Sequence, residues 1–157
     1  MVRKTQKHVV SASAIIPARR ERVYSLLANY RDGHARILPK QFSDLVVEQG
    51  GVGSGTVIRF RMTLLGKKQN FHATVTEPEP GRRLVETYSD PEGTVTTFAV
   101  DAGSAPADSR VTITTELPVR SGIPGSLEKM FATLMLRPIY RQELENLARV
   151  ATGPFGF

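Results

Sequence analysis

The amino-acid sequence predicts an α+β fold of order β-αα-β6-α: a mainly antiparallel seven-stranded sheet covered on one face by a long C-terminal helix. Three observations predict it. The extended segments between residues 42 and 117 are separated by gaps too short for parallel crossovers, which need about a dozen residues or more. Their side chains alternate, as where Val111, Ile113 and Thr115 interleave with Thr112, Thr114 and Glu116, which makes one dry face and one wet one. After Pro124 the apolar period changes from two to threes and fours, and no other segment has enough apolar surface to cover the dry face.

In chain order, His8 to Ile16 is a run of small and β-branched residues that ends at Pro17, the mark of a strand. From Arg19 to Asn29, Val23, Leu26 and Leu27 recur at helical spacing just after that proline. Asp32-Gly33 breaks this helix, and His34 to Leu38 forms one more turn before Pro39. Five strands follow: Phe42 to Gln49, Thr56 to Leu65, Asn70 to Glu77, Arg82 to Tyr88 and Thr94 to Asp101. Gly50-Gly51, Gly53, Gly55, Gly66, Pro78 with Pro80-Gly81, and Asp90-Pro91 with Gly93 punctuate them as turns. Arg110 to Leu117 is the seventh strand, beyond a loop at Gly103 to Asp108, and Pro124 to Ala151 is the long helix. Pro138 inside it removes a backbone hydrogen bond and is expected to kink it.

With 157 residues, 40% of them hydrophobic and 23% charged, the composition suits one soluble domain over residues 1–157, with 1–6 and 152–157 expected to be loose. No apolar run approaches the ~20 residues of a membrane span. The basic start, Met1 to Lys7, leads into alternating residues rather than a signal-peptide core, and there is no cysteine, so a cytoplasmic location is expected. The net charge of +6 is scattered through the chain, with no basic block and no aromatic-rich strand of an RNA-binding kind. No nucleic-acid partner is expected. The charge permits peripheral contact with an anionic membrane, and the sequence leaves monomer and homodimer both open.

The order of elements resembles the helix-grip fold of the START-like (SRPBCC) superfamily, which includes the polyketide cyclase/dehydrase and lipid-transport group. Ala18-Arg-Arg-Glu-Arg-Val-Tyr-Ser-Leu-Leu27 resembles the family's first helix, and Gly53-Ser-Gly55-Thr56 its glycine-containing entry to the third strand. Val75-Thr-Glu-Pro78 with Pro80-Gly-Arg-Arg-Leu84 is similar to its hairpin, and Arg137-Pro138 with Glu143-Leu-Glu-Asn-Leu147 to its terminal helix. The resemblance covers essentially the whole chain. It implies a curved sheet wrapped around the terminal helix, with a cavity between them for a lipid, a polyketide, an isoprenoid or a similar apolar molecule.

Alternation gives the lining of such a cavity: Ile58, Phe60 and Met62; Phe71, Ala73 and Val75; Phe98 and Val100; Val111 and Ile113. Phe131, Leu134, Met135 and Ile139 are expected to face them from the helix. Core packing alone also accounts for any single one of these residues. His8, His34 and His72 are isolated, so no metal site is expected, and no cofactor motif occurs. The glycines at 50–55 lack the helix and the Gly-Lys-Ser/Thr of a phosphate loop, and Ser54 lacks the context of a nucleophile elbow. Arg59 and Arg61 belong to the wet face.

The weak catalytic candidates are Glu86 and Tyr88, which share a face with Leu84, and His34 on the short helices, which in this architecture cap the cavity mouth with Tyr24 and Tyr30. A buried Glu86 would serve as acid or base, and Tyr88 would donate to an oxyanion. Without a convergent catalytic set, the expected function is binding or transport of a hydrophobic small molecule rather than catalysis. The alternative is a cofactor-free polyketide cyclase, aromatase or dehydratase using acid–base residues in the same cavity.

Overall fold

The computed structural model describes residues 5–90 and 93–154. The readings placed on residues 1–4, on Pro91 and on the 155–157 end of the tail lie outside these. The described elements are β1 (Thr5–Ile16), α1 (Arg20–Ala28), α2 (His34–Ile37), β2 (Phe42–Gln49), β3 (Val57–Leu64), β4 (Lys67–Glu79), β5 (Arg83–Tyr88), β6 (Val95–Ala102), β7 (Ser109–Arg120) and α3 (Ile123–Ala151). Among them no helix is long and apolar enough to cross a membrane.

All strands pair antiparallel in the order β1-β7-β6-β5-β4-β3-β2, so the first two strands of the chain form the two edges. α1 and α2 bridge those edges. α3 lies across the dry face, against β1, β7 and α2. The core joins Val10, Ile16, Ile58, Val75, Leu84, Phe98 and Ile113 of the sheet to Leu26, Leu27, Leu144 and Leu147 of the helices.

Three segments are longer than the sequence patterns indicate. Thr5 and Gln6, expected to be loose, pair with Arg120 and Val119 in β1. β7 continues through Pro118 because β6 has ended by that point; proline is tolerated where one side of a strand has no partner. The β3–β4 ladder closes down to Leu64 opposite Lys67 on the two-residue turn Leu65-Gly66, both residues at positive φ of 51° and 78°. Both central residues of this hairpin class need positive φ, which Gly66 adopts without steric cost. At the other end of the fold, Thr152 donates through its hydroxyl to the Ala148 carbonyl at 2.7 Å, so the segment after α3 starts as a hydrogen-bonded cap.

Candidate functional site

The glycine loop fixes α1 and α2 over the sheet. Gly53 N–H donates to the Ala28 carbonyl at 2.9 Å, and Tyr30 N–H donates to the Gly51 carbonyl at 2.8 Å. Gly53 stands at φ 65°, and a Cβ there would sit 2.2 Å from the Glu77 carboxylate, so the position requires glycine. That carboxylate accepts from Ser54 N–H at 2.7 Å and from the Tyr24 hydroxyl at 2.6 Å. The 50–55 loop is thus a structural clamp. Its consequence for the site is that Tyr30 and His34, at the α1–α2 junction, point at the sheet from a fixed height.

Between sheet and helices lies a cavity of about 350 Å³. Its walls are mostly apolar, including Phe42, Ile58, Phe60, Met62, Phe71 and Phe98. Gln69 and Phe131 line it and are exposed, so the mouth lies between the β3–β4 hairpin and the first half of α3. The buried lining residues His34, Glu86, Thr96, Thr115, Tyr140 and Glu143 form its closed end.

That closed end is a polar cluster. Glu86, 4% exposed, accepts from the Tyr30 hydroxyl on Oε1 at 2.8 Å and from the Tyr88 hydroxyl on Oε2 at 2.8 Å. The two phenols leave both oxygens charge-stabilised. His34, 3% exposed, stacks on Tyr30 at 4.4 Å between ring centroids, and its Nδ1 lies 2.8 Å from the Leu27 carbonyl. A carbonyl only accepts, so Nδ1 carries a proton, and Nε2 faces Glu86 Oε1 and Glu143 Oε1 at 3.7 Å each. On the other side the Tyr140 hydroxyl meets the Thr115 hydroxyl, which is 2.7 Å from that of Thr96.

Burial first, and the nearby charge of Glu86 second, push the Glu143 carboxyl well above its ordinary 4.5. Burial is also the largest cause that holds the Tyr30, Tyr88 and Tyr140 phenols above their ordinary 10.0. The site therefore sets a carboxylate that accepts from two phenols beside a second carboxyl whose protonated form burial favours, with His34 Nε2 facing both.

Of the residues singled out from sequence, Ile58, Phe60, Met62, Phe71, Phe98, Phe131 and Met135 line the cavity, as do Glu86, Tyr88 and His34. Val75, Val100, Ile113 and Ile139 are buried in the core but stand off the lining. Leu134 corrects the expectation outright: it is 65% exposed and faces away from the sheet. At about 100° per residue it stands roughly 180° from Glu143 around the helix. Sequence reasoning missed Glu143 and Tyr140 as site residues, although their three-residue spacing puts both on the face of α3 that carries Leu136 and Leu147. Thr96 and Thr115 were missed as well; both lie on the dry-face alternation of their strands.

A family model described as polyketide cyclase / dehydrase and lipid transport matches residues 7–152. No curated protein matches the chain. Among solved structures, the KanY protein is 26% identical with a TM-score of 0.79, covering 98% of this chain and 100% of its own. A START superfamily protein from Mycobacterium smegmatis is 16% identical with a TM-score of 0.71, over 90% of this chain and 97% of that one. An aromatase/cyclase, Zhui, from a Streptomyces species is 13% identical with a TM-score of 0.72, over 97% and 100%. The last two likenesses are of fold alone, and the fold they share with this chain is the helix-grip arrangement of an antiparallel sheet around a long C-terminal helix.

Proposed function

The chain belongs to the polyketide cyclase/dehydrase and lipid transport family, and from that premise we propose that it binds a hydrophobic small molecule in the cavity between its sheet and α3. One observation carries this reading: an apolar chamber of about 350 Å³ with an exposed mouth and a polar closed end, the form expected of a small-molecule site. The apolar walls supply affinity by removing ligand surface from water, and the cluster around Glu86 orients the ligand's polar end. Native mass spectrometry and titration with an environment-sensitive apolar dye test it. The expected result is a one-to-one complex that is lost in Ala132→Trp, where the added indole fills the space beside a buried lining alanine. Saturable binding that persists in that variant, or its absence from the parent protein, overturns the reading.

A second reading, cofactor-free cyclase or dehydratase chemistry, is favoured by Glu143, whose protonated form burial favours, beside the phenol-bound Glu86. A carboxylic acid at the closed end can protonate a carbonyl or a departing hydroxyl while His34 Nε2 takes a proton from the neighbouring carbon. The family description covers both activities. Turnover of a polyketide-like substrate that is lost in Glu143→Gln and in His34→Gln, with the fold retained, supports this second reading. Full activity in both variants removes it.

A further inference from the structure

The chain carries 21 Lys and Arg against 15 Asp and Glu, yet the cavity inverts that balance. Among the described lining residues none is lysine or arginine, whereas Glu86, Asp90 and Glu143 are carboxylic acids and His34 is the one basic group. Asp90 is satisfied, since it accepts from the Gly93 and Thr94 amides and from the Thr94 hydroxyl at 2.8, 2.9 and 2.6 Å. Glu86 holds two phenols. Glu143 is different. It is 3% exposed, its Oε1 lies 3.7 Å from His34 Nε2, and it shares the closed end with a second carboxylate, that of Glu86. Even a charged His34 would balance only one of the two carboxylates it faces.

A carboxyl withdrawn from water beside a second carboxylate favours its neutral form or a cation placed between the two. The Tyr88 and Tyr140 rings line the same cavity, and aromatic faces attract cations. We propose that the cavity selects an amphiphilic amine: an apolar or aromatic body with one protonated amino group, which lies between Glu143 and Glu86 at the closed end. The proposal rests on the binding reading above and narrows it to a ligand class. An ammonium brings three N–H donors, enough for Glu143, Glu86 and a threonine hydroxyl. A carboxylate or phosphate head would meet Glu86 with no lysine or arginine to balance it, and a neutral hydroxyl would leave Glu143 as it was.

The proton balance is explicit. Burial first and Glu86 second favour the protonated form of Glu143. When R–NH3+ enters, the Glu143 O–H bond breaks, solvent takes the proton, and an ammonium–carboxylate pair remains. The titratable groups facing that pair are Tyr30 and His34 from the α1–α2 segment, Glu86 and Tyr88 from β5, and Tyr140 from α3. Binding therefore tightens as pH rises, until the amine itself loses its proton.

Three probes of matched shape test this: naphthylethylamine, naphthylethanol and naphthylacetate, titrated by calorimetry in buffers of different ionisation enthalpy. The expected result is an amine bound at least about tenfold more tightly than the alcohol, the acetate weakest, and proton release for the amine alone. In Glu143→Gln the ratio of amine to alcohol affinity falls to near one. Alcohol or acetate binding as tight as the amine overturns this proposal while leaving apolar binding intact. Failure of all three to bind overturns both. Should the variant not fold, the parent protein's affinity ratio and proton release decide the matter alone.

Discussion

Large apolar side chains occur in both halves of α3 and meet opposite fates. Leu127, Met130 and Leu134 in the first half are 58%, 57% and 65% exposed, whereas Ile139, Leu144 and Leu147 in the second are 3%, 2% and 1% exposed. The difference is one of phase. Ala132 and Leu136 carry the inner face into Ile139 and Tyr140, whereas Leu127, Met130 and Leu134 form a second, outer stripe; Leu134 and Ile139, about 500° of helix rotation apart, stand on nearly opposite faces. Pro138 stands where the outer stripe ends and withholds the N–H that the Leu134 carbonyl would accept. The first half is held over β1 by polar contacts, His8 Nε2 with the Thr133 hydroxyl at 2.8 Å and Arg137 donating to the Ser11 carbonyl at 3.3 Å. The second is clamped at both short helices: Arg22 donates to the Ala151 carbonyl at 2.6 Å and Asn146 to the Ile37 carbonyl at 3.0 Å. Apolar spacing alone fixes that a helix forms; its phase fixes which residues are core and which cover the mouth.

The largest expected break in this comparison is at Leu147. Leu147→Ala removes a side chain that is 1% exposed and leaves a cavity among α1, α3 and the sheet. A loss of about 3 kcal/mol is expected, since buried Leu-to-Ala changes cost the transfer energy of the lost atoms and the unfilled space together. Urea denaturation checks it. A loss below about 1 kcal/mol would mean that the second half of α3 is not the anchor described.

A smaller effect separates the halves by pH. Glu143 belongs to the anchored half, and its carboxyl is raised above 4.5, first by burial and then by Glu86. Between that ordinary value and the folded one, the folded state holds a proton that the unfolded state has lost. Stability therefore falls as pH rises through this window, with a limiting slope of about 1.4 kcal/mol per pH unit for one proton. Glu143→Gln abolishes the slope, so the variant gains on the parent protein as pH rises. Tyr30, His34, Glu86 and Tyr140 face the same space and remain in both proteins. Denaturation midpoints over the range from mildly acidic to mildly alkaline, compared pairwise, check the sign; a parent protein that gains on the variant reverses it.

The sheet was legible because each strand is bounded by glycine or proline and alternates on a background of short gaps. Even there, the β3–β4 ladder was underestimated, since Lys67, Lys68 and Gln69 look like a loop until the two-residue turn is recognised. Half of the site was legible too: Glu86 and Tyr88 follow from the parity of β5 once Leu84 is taken as inward. Tyr140 and Glu143 were not, because polar residues on a helix are ordinarily assigned to its wet face. The error at Leu134 and the omission of Glu143 have one cause, a single stripe drawn through a helix that carries two. The five-residue gap and the proline beside it were the available signal.

The smallest expected effect is the sharpest test of that phase. Leu134→Gln exchanges an apolar side chain for a polar one of similar length at a position 65% exposed, with helix propensity nearly unchanged. Were Leu134 on the inner face, a buried and unsatisfied amide would cost several kcal/mol. On the outer face the change stays within about 0.5 kcal/mol, as surface substitutions away from special features do. The same exchange at Leu144, ten residues on, is then expected to be severe, because that side chain is 2% exposed among α3, α1 and the sheet. Equal losses at the two positions would place Leu134 and Leu144 on one face and remove the outer stripe. A large difference between them places Leu134 on the outer stripe of α3, while Ala132 and Leu136 of the same half keep the inner face against the core.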